Sequence, residues 1–218
     1  MQMNTNVPPR RIVADVLVAG GLVATLYGLI YLGGKAPDLY TSTGVNLDPS
    51  HLPYLVGRSV LRMMGAYVLS FLFTIVYGYI AAYNARAERF MVPTLDILQS
   101  IPVLSFMPSV VLALVALFPH GSLGPELASV ILIFTGQAWN MTFSFYYSLK
   151  AIPPELREVA ASQQMNWWQR FRTLELPSSA VGLVWNSMMS WAGGWFFLMA
   201  SEMFTLGDSK FTLPGIGS

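Results

Sequence analysis

Apolar segments long enough to cross a membrane recur along this chain, and polar intervals divide them. The hydrophobic pattern predicts spans at about 12–33, 60–82, from the Leu98-Gln99-Ser100-Ile101-Pro102 entry to Phe118, 127–149 and 178–201. The expected fold is therefore an all-α membrane bundle with about five transmembrane helices. Residues 1–11 read as a cytoplasmic tail, 12–54 as a first span with an external loop, and 55–218 as the main transmembrane domain. Gly33, Gly34, Pro37, Pro49 and Pro53 make 34–57 an irregular connection, and residues 84–96 are expected to return the chain to the cytoplasm. Pro102 and Pro108 predict a kinked third span.

The longest polar interval, 153–177 (PPELREVAASQQMNWWQRFRTLELP), reads as two short amphipathic helices. Pro153 and Pro154 suit a helix start, where a missing amide hydrogen is no loss. Leu156, Val159 and Ala160 share a face. The period breaks at Gln164 and Met165, and Asn166 followed by Gln169 makes a capping-box pattern for a second helix. That helix carries Trp167, Phe171 and Leu174 at i, i+4 and i+7, and Pro177 is expected to stop it. With Arg157, Arg170 and Arg172, the interval belongs at the cytoplasmic interface. There it either rests on lipid headgroups or offers an apolar ridge to a partner.

Composition narrows the class. Hydrophobic residues make up 54% of the chain, charged residues 11%, and mean hydropathy is +0.53, a balance that points to an integral membrane protein. A formal net charge of +1 gives no basic surface for nucleic acid. With no cysteine, thiolate metal sites, disulfides and cysteine nucleophiles are excluded. Only His51 and His120 are available as imidazole ligands, so no metal site is expected.

Polar positions inside the spans supply the candidate path. Gln137 and Asn140 sit near the middle of the fourth span with Ser144 and Ser148 continuing the face, and a carboxamide in hydrocarbon needs a partner or water. In the fifth span Gly182, Asn186, Ser190 and Gly194 recur every four residues, as a close helix contact or a pathway wall. Glu202 stands at the outer end, where it could be a solvated helix end. Eight basic residues (Arg10, Arg11, Arg86, Arg89, Lys150, Arg157, Arg170, Arg172) fall on the expected inner side. Lys35, Arg58, Arg62 and Lys210 fall outside, so the amino terminus is placed in the cytoplasm, with Arg58 and Arg62 running against the trend.

The central interval resembles the E-A-A-x3-G-x9-I-x-L-P signature of binding-protein-dependent ABC transporter permeases. Glu158, Ala160, Gln164, Leu174, Leu176 and Pro177 hold its spacing, with Val159 in place of the first alanine and Gln164 in place of the glycine. Gln164 implies either a turn built differently or a strained residue. The Ser-Ile-Pro entry, Ser59-x2-Arg62-x2-Gly65 and Glu202 look like the nitrate/sulfonate/taurine branch of the same family, and the resemblance covers roughly 55–205.

The resemblance implies a six-span type I importer fold, of which five spans are visible, with 153–177 as the coupling loop. It implies a multi-pass inner-membrane subunit of a bacterium with no catalytic site or cofactor of its own, ATP and Mg being used by a partner. The implied partners are cytoplasmic ABC ATPase subunits, a second permease half or homologous chain, and a periplasmic or tethered solute-binding protein, besides membrane lipid. Glu158, Ala160, Ala161, Gln164, Trp167, Phe171, Leu174 and Pro177 become the candidate ATPase-coupling residues. Gln137, Asn140, Ser144, Asn186, Ser190 and Glu202 become the candidate translocation path. A non-transporting sensor or scaffold recruiting a partner through 153–177 is the alternative, and an intramembrane enzyme lacks the ligands it would need. Because five spans that begin inside must end outside, these 218 residues are expected to be part of a longer polypeptide, such as one half of a fused permease.

Overall fold

The computed structural model describes residues 49–118 and 123–203, together with 20, 21, 23, 24, 27, 28, 31, 205, 206, 209, 210, 213 and 215–217. Residues 1–11, most of the expected first span and 34–48 lie outside the described residues.

A 3-10 turn at Pro49–His51 leads into α1, Leu52–Tyr83, with Pro53 in the first turn. The helix therefore starts earlier than the expected span at 60, and the boundary drawn between 54 and 55 falls inside it. Asn84 is extended and its side chain accepts from the amides of Arg86 and Ala87, which caps α2, Ala85–Ser100. Residues 85–96, expected to return the chain to the cytoplasm, are thus helical. Pro102 holds Ile101 extended and ends α2. The next helix, α3 (Val103–Leu117), leaves at 93° to it.

The chain continues as α4, Leu123–Lys150, and α5, Pro154–Ser162, then a short α6, Trp167–Arg170. A π turn over Phe171–Glu175 joins α6 to α7, Leu176–Glu202. Pro177 therefore does not stop the second helix of the loop. It sits in the first turn of α7, where the wider turn, with the Leu176 amide bonded to the Phe171 carbonyl, makes room for the ring. The Ser178 hydroxyl donates to the Leu174 carbonyl at 2.6 Å, and the Ser179 hydroxyl donates to that of Glu175. One antiparallel pair of two-residue strands, Thr205–Leu206 and Ser209–Lys210, follows.

By length and composition, one described helix, α1, can cross a membrane alone, and the bent pair α2 and α3 passes only as one broken span. Five spans is thus more than these helices establish. At 28 and 27 residues α4 and α7 have the length, but the serines, glycines and carboxamides by which they pack lower their hydropathy.

The bundle is built on α4, with α1 and α7 on either side. Met63, Ala66, Ile133 and Leu198 form one cluster between them, and Phe145, Leu149, Ile152, Phe171 and Leu183 another toward the 153–177 end. Small residues bring the backbones close: a side chain at Gly182 would meet the Ser144 and Ser148 hydroxyls, and one at Gly194 would meet Met63 and Gln137. Thr74 and Thr142 share a hydrogen bond at 3.1 Å, and Ser129 and Ser201 share one at 2.7 Å. Such interhelical bonds each contribute about 0.6 kcal/mol in a membrane, so the seams rest mainly on close packing.

Candidate functional site

At one end of the bundle, α5 and α6 form a rigid corner. Gln164 has φ of 49° and is the only non-glycine with positive φ among the described residues. The Met165 amide donates to the Ala160 carbonyl at 3.1 Å and the Gln164 amide to that of Ala161 at 2.9 Å. This is a Schellman helix ending with glutamine where glycine is favoured. Of the two readings of the missing glycine, the strained residue is the one found. Gln164→Gly is therefore expected to raise the melting temperature in detergent, releasing roughly 1–2 kcal/mol of left-handed strain less the added unfolded-chain entropy. A lowered melting temperature would contradict the strain.

Two residues on, the expected capping box is complete. Asn166 accepts from the Gln169 amide at 2.8 Å, while the Gln169 side chain accepts from the Asn166 amide at 2.9 Å. Trp167 stacks on Phe171 with centroids 5.8 Å apart, and Phe171 and Leu174 settle into the cluster around Phe145 and Leu149. The exposed surface of the corner includes Leu156, Glu158, Val159, Ala161, Trp167 and Trp168. Ala160, expected beside Glu158 on the docking face, is instead 3% exposed and turned into the chain. Gln164 and Pro177 are exposed.

The corner is bound to the bundle by a network that the sequence did not suggest. The fully buried Glu175 accepts from the Tyr83 hydroxyl at 2.7 Å and from Arg170 Nε at 2.7 Å. Arg170 also donates to the Tyr79 hydroxyl at 2.9 Å, and Arg157 donates to the Leu149 carbonyl at 2.7 Å. Both guanidiniums lie over the Tyr83 ring, at 5.7 Å for Arg157 and 5.2 Å for Arg170. The bond to Tyr79, opposed by burial and assisted by Glu175, raises Arg170 above its already high pKa, so the cation persists at physiological pH.

The candidate path residues divide. Gln137 and Ser190 meet inside the α4–α7 seam, where the Ser190 hydroxyl donates to the backbone carbonyl of Gln137 at 3.0 Å. Ser144 lies against Gly182 in the same seam. The half-buried Asn186 returns its amide to the Gly182 carbonyl at 2.9 Å, and Asn140 is exposed. Glu202 is not a solvated helix end: it is fully buried, accepting from Arg62 Nη1 at 2.7 Å, the Ser59 hydroxyl at 2.6 Å and the Gly217 amide at 2.8 Å. Arg62 and Arg58 also pair with Glu126. The cluster closes the far end of the bundle. Its signal in the sequence was the pair of arginines on the side where basic residues are scarce.

The described residues thus form a helical bundle with a broken helix pair, buried charge at one end and an exposed corner at the other. The profile of the family described as "binding-protein-dependent transport system inner membrane component" matches residues 74–213, more than half of the chain. The protein belongs to that family of transport proteins, which is one of membrane components rather than catalysts. It is similar to the putative aliphatic sulfonates transport permease protein SsuC of Bacillus subtilis (strain 168), 21% identical over 145 residues, covering 66% of this chain and 50% of SsuC. The chain thus spans about half the length of that relative.

Proposed function

We propose that the chain is the membrane-spanning permease subunit of an ABC importer, lining the route of a small solute and coupling it to ATP hydrolysis by a separate cytoplasmic ATPase. The observation that carries this is the exposed corner at α5–α6. It exposes Leu156, Val159, Trp167 and Trp168 together with Glu158 on a capped, internally braced frame whose second helix runs without a break into α7. An apolar ridge held this firmly suits docking into a groove, because little ordering entropy remains to be lost on binding.

The inner membrane of a bacterium, with the 153–177 end and the amino terminus on the cytoplasmic side, follows from the same reading together with the inner excess of basic residues. The full transporter would include ATPase subunits, a second permease half and a solute-binding protein. The name of SsuC, taken with the chain's similarity to it, supports a small sulfonate-like anion as solute.

The test uses the full transporter with its cognate ATPase. A cysteine at Ala161 is expected to cross-link to cysteines placed along the ATPase groove, and Glu158→Lys to cut uptake of a short aliphatic sulfonate at least tenfold while ATP hydrolysis continues. Unchanged uptake in Glu158→Lys, together with no cross-link from any exposed loop position, would refute the assignment.

For the path, Asn140 and the exposed edge of Asn186 are the wall, while Gln137, Ser144, Ser190 and Glu202 hold the helices in place. Cysteine at Asn140 is expected to react with a membrane-impermeant thiol reagent, and cysteine at Gln137 or Ser190 to stay inert. The reverse ranking would place the path inside the α4–α7 seam.

A further inference from the structure

Beneath the coupling corner lies a cavity of about 90 Å³ lined by Tyr83, Arg157, Ala160, Met165, Arg170 and Glu175, among others. Two side-chain atoms of its lining residues, Arg157 Nε and Glu175 Oε2, are buried with no hydrogen-bond partner. One is a donor and the other an acceptor. A buried polar atom left unpaired is costly, and a polar cavity of this size has room for water with partners on both sides.

The groups around it belong to every element that the corner touches. Tyr79 and Tyr83 end α1, Leu149 ends α4, Arg157 and Ala160 are in α5, Arg170 is in α6, and Glu175 is in the π turn that opens α7. Direct bonds tie Glu175 to α1 and α6, and Arg157 to α4, but no direct bond joins α5 to Glu175.

We propose that ordered water in this cavity bridges Arg157 Nε to Glu175 Oε2, completing a clamp through which Glu175, Tyr83 and Arg170 position the coupling helix α5 so that it moves as one body with α1 and α7. The proposal rests on the reading of the corner as the ATPase-docking site. Leu156 and Val159 on the outer face of α5 are largely exposed, so the helix is held from its inner side, where Arg157 bonds the Leu149 carbonyl and lies over the Tyr83 ring. The clamp adds to these directional contacts. Tyr83 at its centre is held by a hydroxyl bond and by two cations on its ring, so that a displacement of α5 is transmitted to the inner end of α1. Ala160 is small and buried at the edge of the cavity, so its side chain leaves the water in place.

The experiment uses the full permease–ATPase complex in nanodiscs. Since the chain has no native cysteine, spin labels at the exposed positions Ser162 and Arg86 report the distance between α5 and the start of α2 with and without ATP. In the unsubstituted protein the distribution is expected to stay narrow and unshifted when ATP binds. In Glu175→Gln and Tyr83→Phe it is expected to broaden at least twofold, with Arg170→Lys in between because lysine cannot hold Tyr79 and Glu175 together. Cryo-microscopy at a resolution that shows water is expected to place density within hydrogen-bond distance of both Arg157 Nε and Glu175 Oε2. Narrow distributions in both Glu175→Gln and Tyr83→Phe, or a dry cavity, would overturn the clamp. Cross-linking from Ala161 to the ATPase separates the two failures: if it persists, docking stands and the clamp alone is wrong.

Discussion

Arg62→Met is expected to abolish accumulation of folded protein, or to lower its stability by about 3–5 kcal/mol where it accumulates. The side chain is almost wholly buried and holds two carboxylates, Glu202 through Nη1 and Glu126 through Nε and Nη2. Removing it leaves the fully buried Glu202 facing neutral donors such as the Ser59 hydroxyl and the Gly217 amide with a full negative charge. Glu126 is less affected, because it is partly exposed and Arg58 still reaches it.

The cost is thus mainly the uncompensated Glu202, and a second change should recover much of it. In Arg62→Met with Glu202→Gln the buried charge is gone, the amide oxygen in the Oε2 position still accepts from the Gly217 amide, and the NH2 group in the Oε1 position can donate to the Ser59 hydroxyl oxygen. The double variant is expected to be more stable than Arg62→Met alone, a coupling that a double-mutant cycle reads directly. Detergent size-exclusion profiles and melting temperatures of the four proteins measure it. A single variant as stable as the parent, or a double variant no better than the single, would show that the cluster is incidental to the fold.

That cluster marks where sequence reading stopped. Arg58 and Arg62 stood out as basic residues on the wrong side, but a sequence shows a charge and not its partner. Glu126 and Glu202 come from helices that start or end some 60 and 140 residues away. Local patterns fared better because their physics is local: the Asn166–Gln169 capping box and the proline start of α5 each depend on a few neighbouring residues, while at Gln164 the sequence left a rebuilt turn and a strained residue both open.

Pro177 was misread for the opposite reason. Its usual meaning, a helix stop, was overridden by the π turn before it, which no local propensity announces. The four-residue stripe through Gly182, Ser190 and Gly194 was legible as a contact face, yet the sequence gives no way to tell a face against α4 from a face against water. Only the fold settled that Gln137 and Ser190 meet each other. Glu175 and Tyr83 carry no signal in the sequence, since a lone acid and a lone tyrosine become a site only when the end of α1 and the π turn before α7 come together.

Gly124→Ala is expected to destabilise the protein far more than the same change at any glycine with room around it. The added methyl would lie 2.8 Å from the Leu114 carbonyl oxygen and 2.9 Å from Val115 Cα, both backbone atoms of α3. Backbone cannot rotate aside, so α3 and α4 must separate, which loosens the packing of Met107, Val111 and Val115 on Ala128 and Leu132. Overpacking of this kind costs about 1–3 kcal/mol. In a chain of this size, about 2–4 °C of melting temperature goes with each kcal/mol.

Gly194→Ala meets an equally short approach, but to Gln137 Nε2 and the end of Met63, flexible groups that can turn away, so its cost should be smaller. Gly65 and Gly193 have nothing within 4 Å of an added methyl, and each lies within a helix. Alanine at these two should be neutral or stabilise by up to about 1 kcal/mol through helix propensity. Melting temperatures of the four variants in one detergent are expected to rank Gly124→Ala lowest, then Gly194→Ala, then the parent, with Gly65→Ala and Gly193→Ala at or above it. A Gly124→Ala protein that melts with the parent would mean that α3 and α4 do not approach each other as closely as this backbone contact requires.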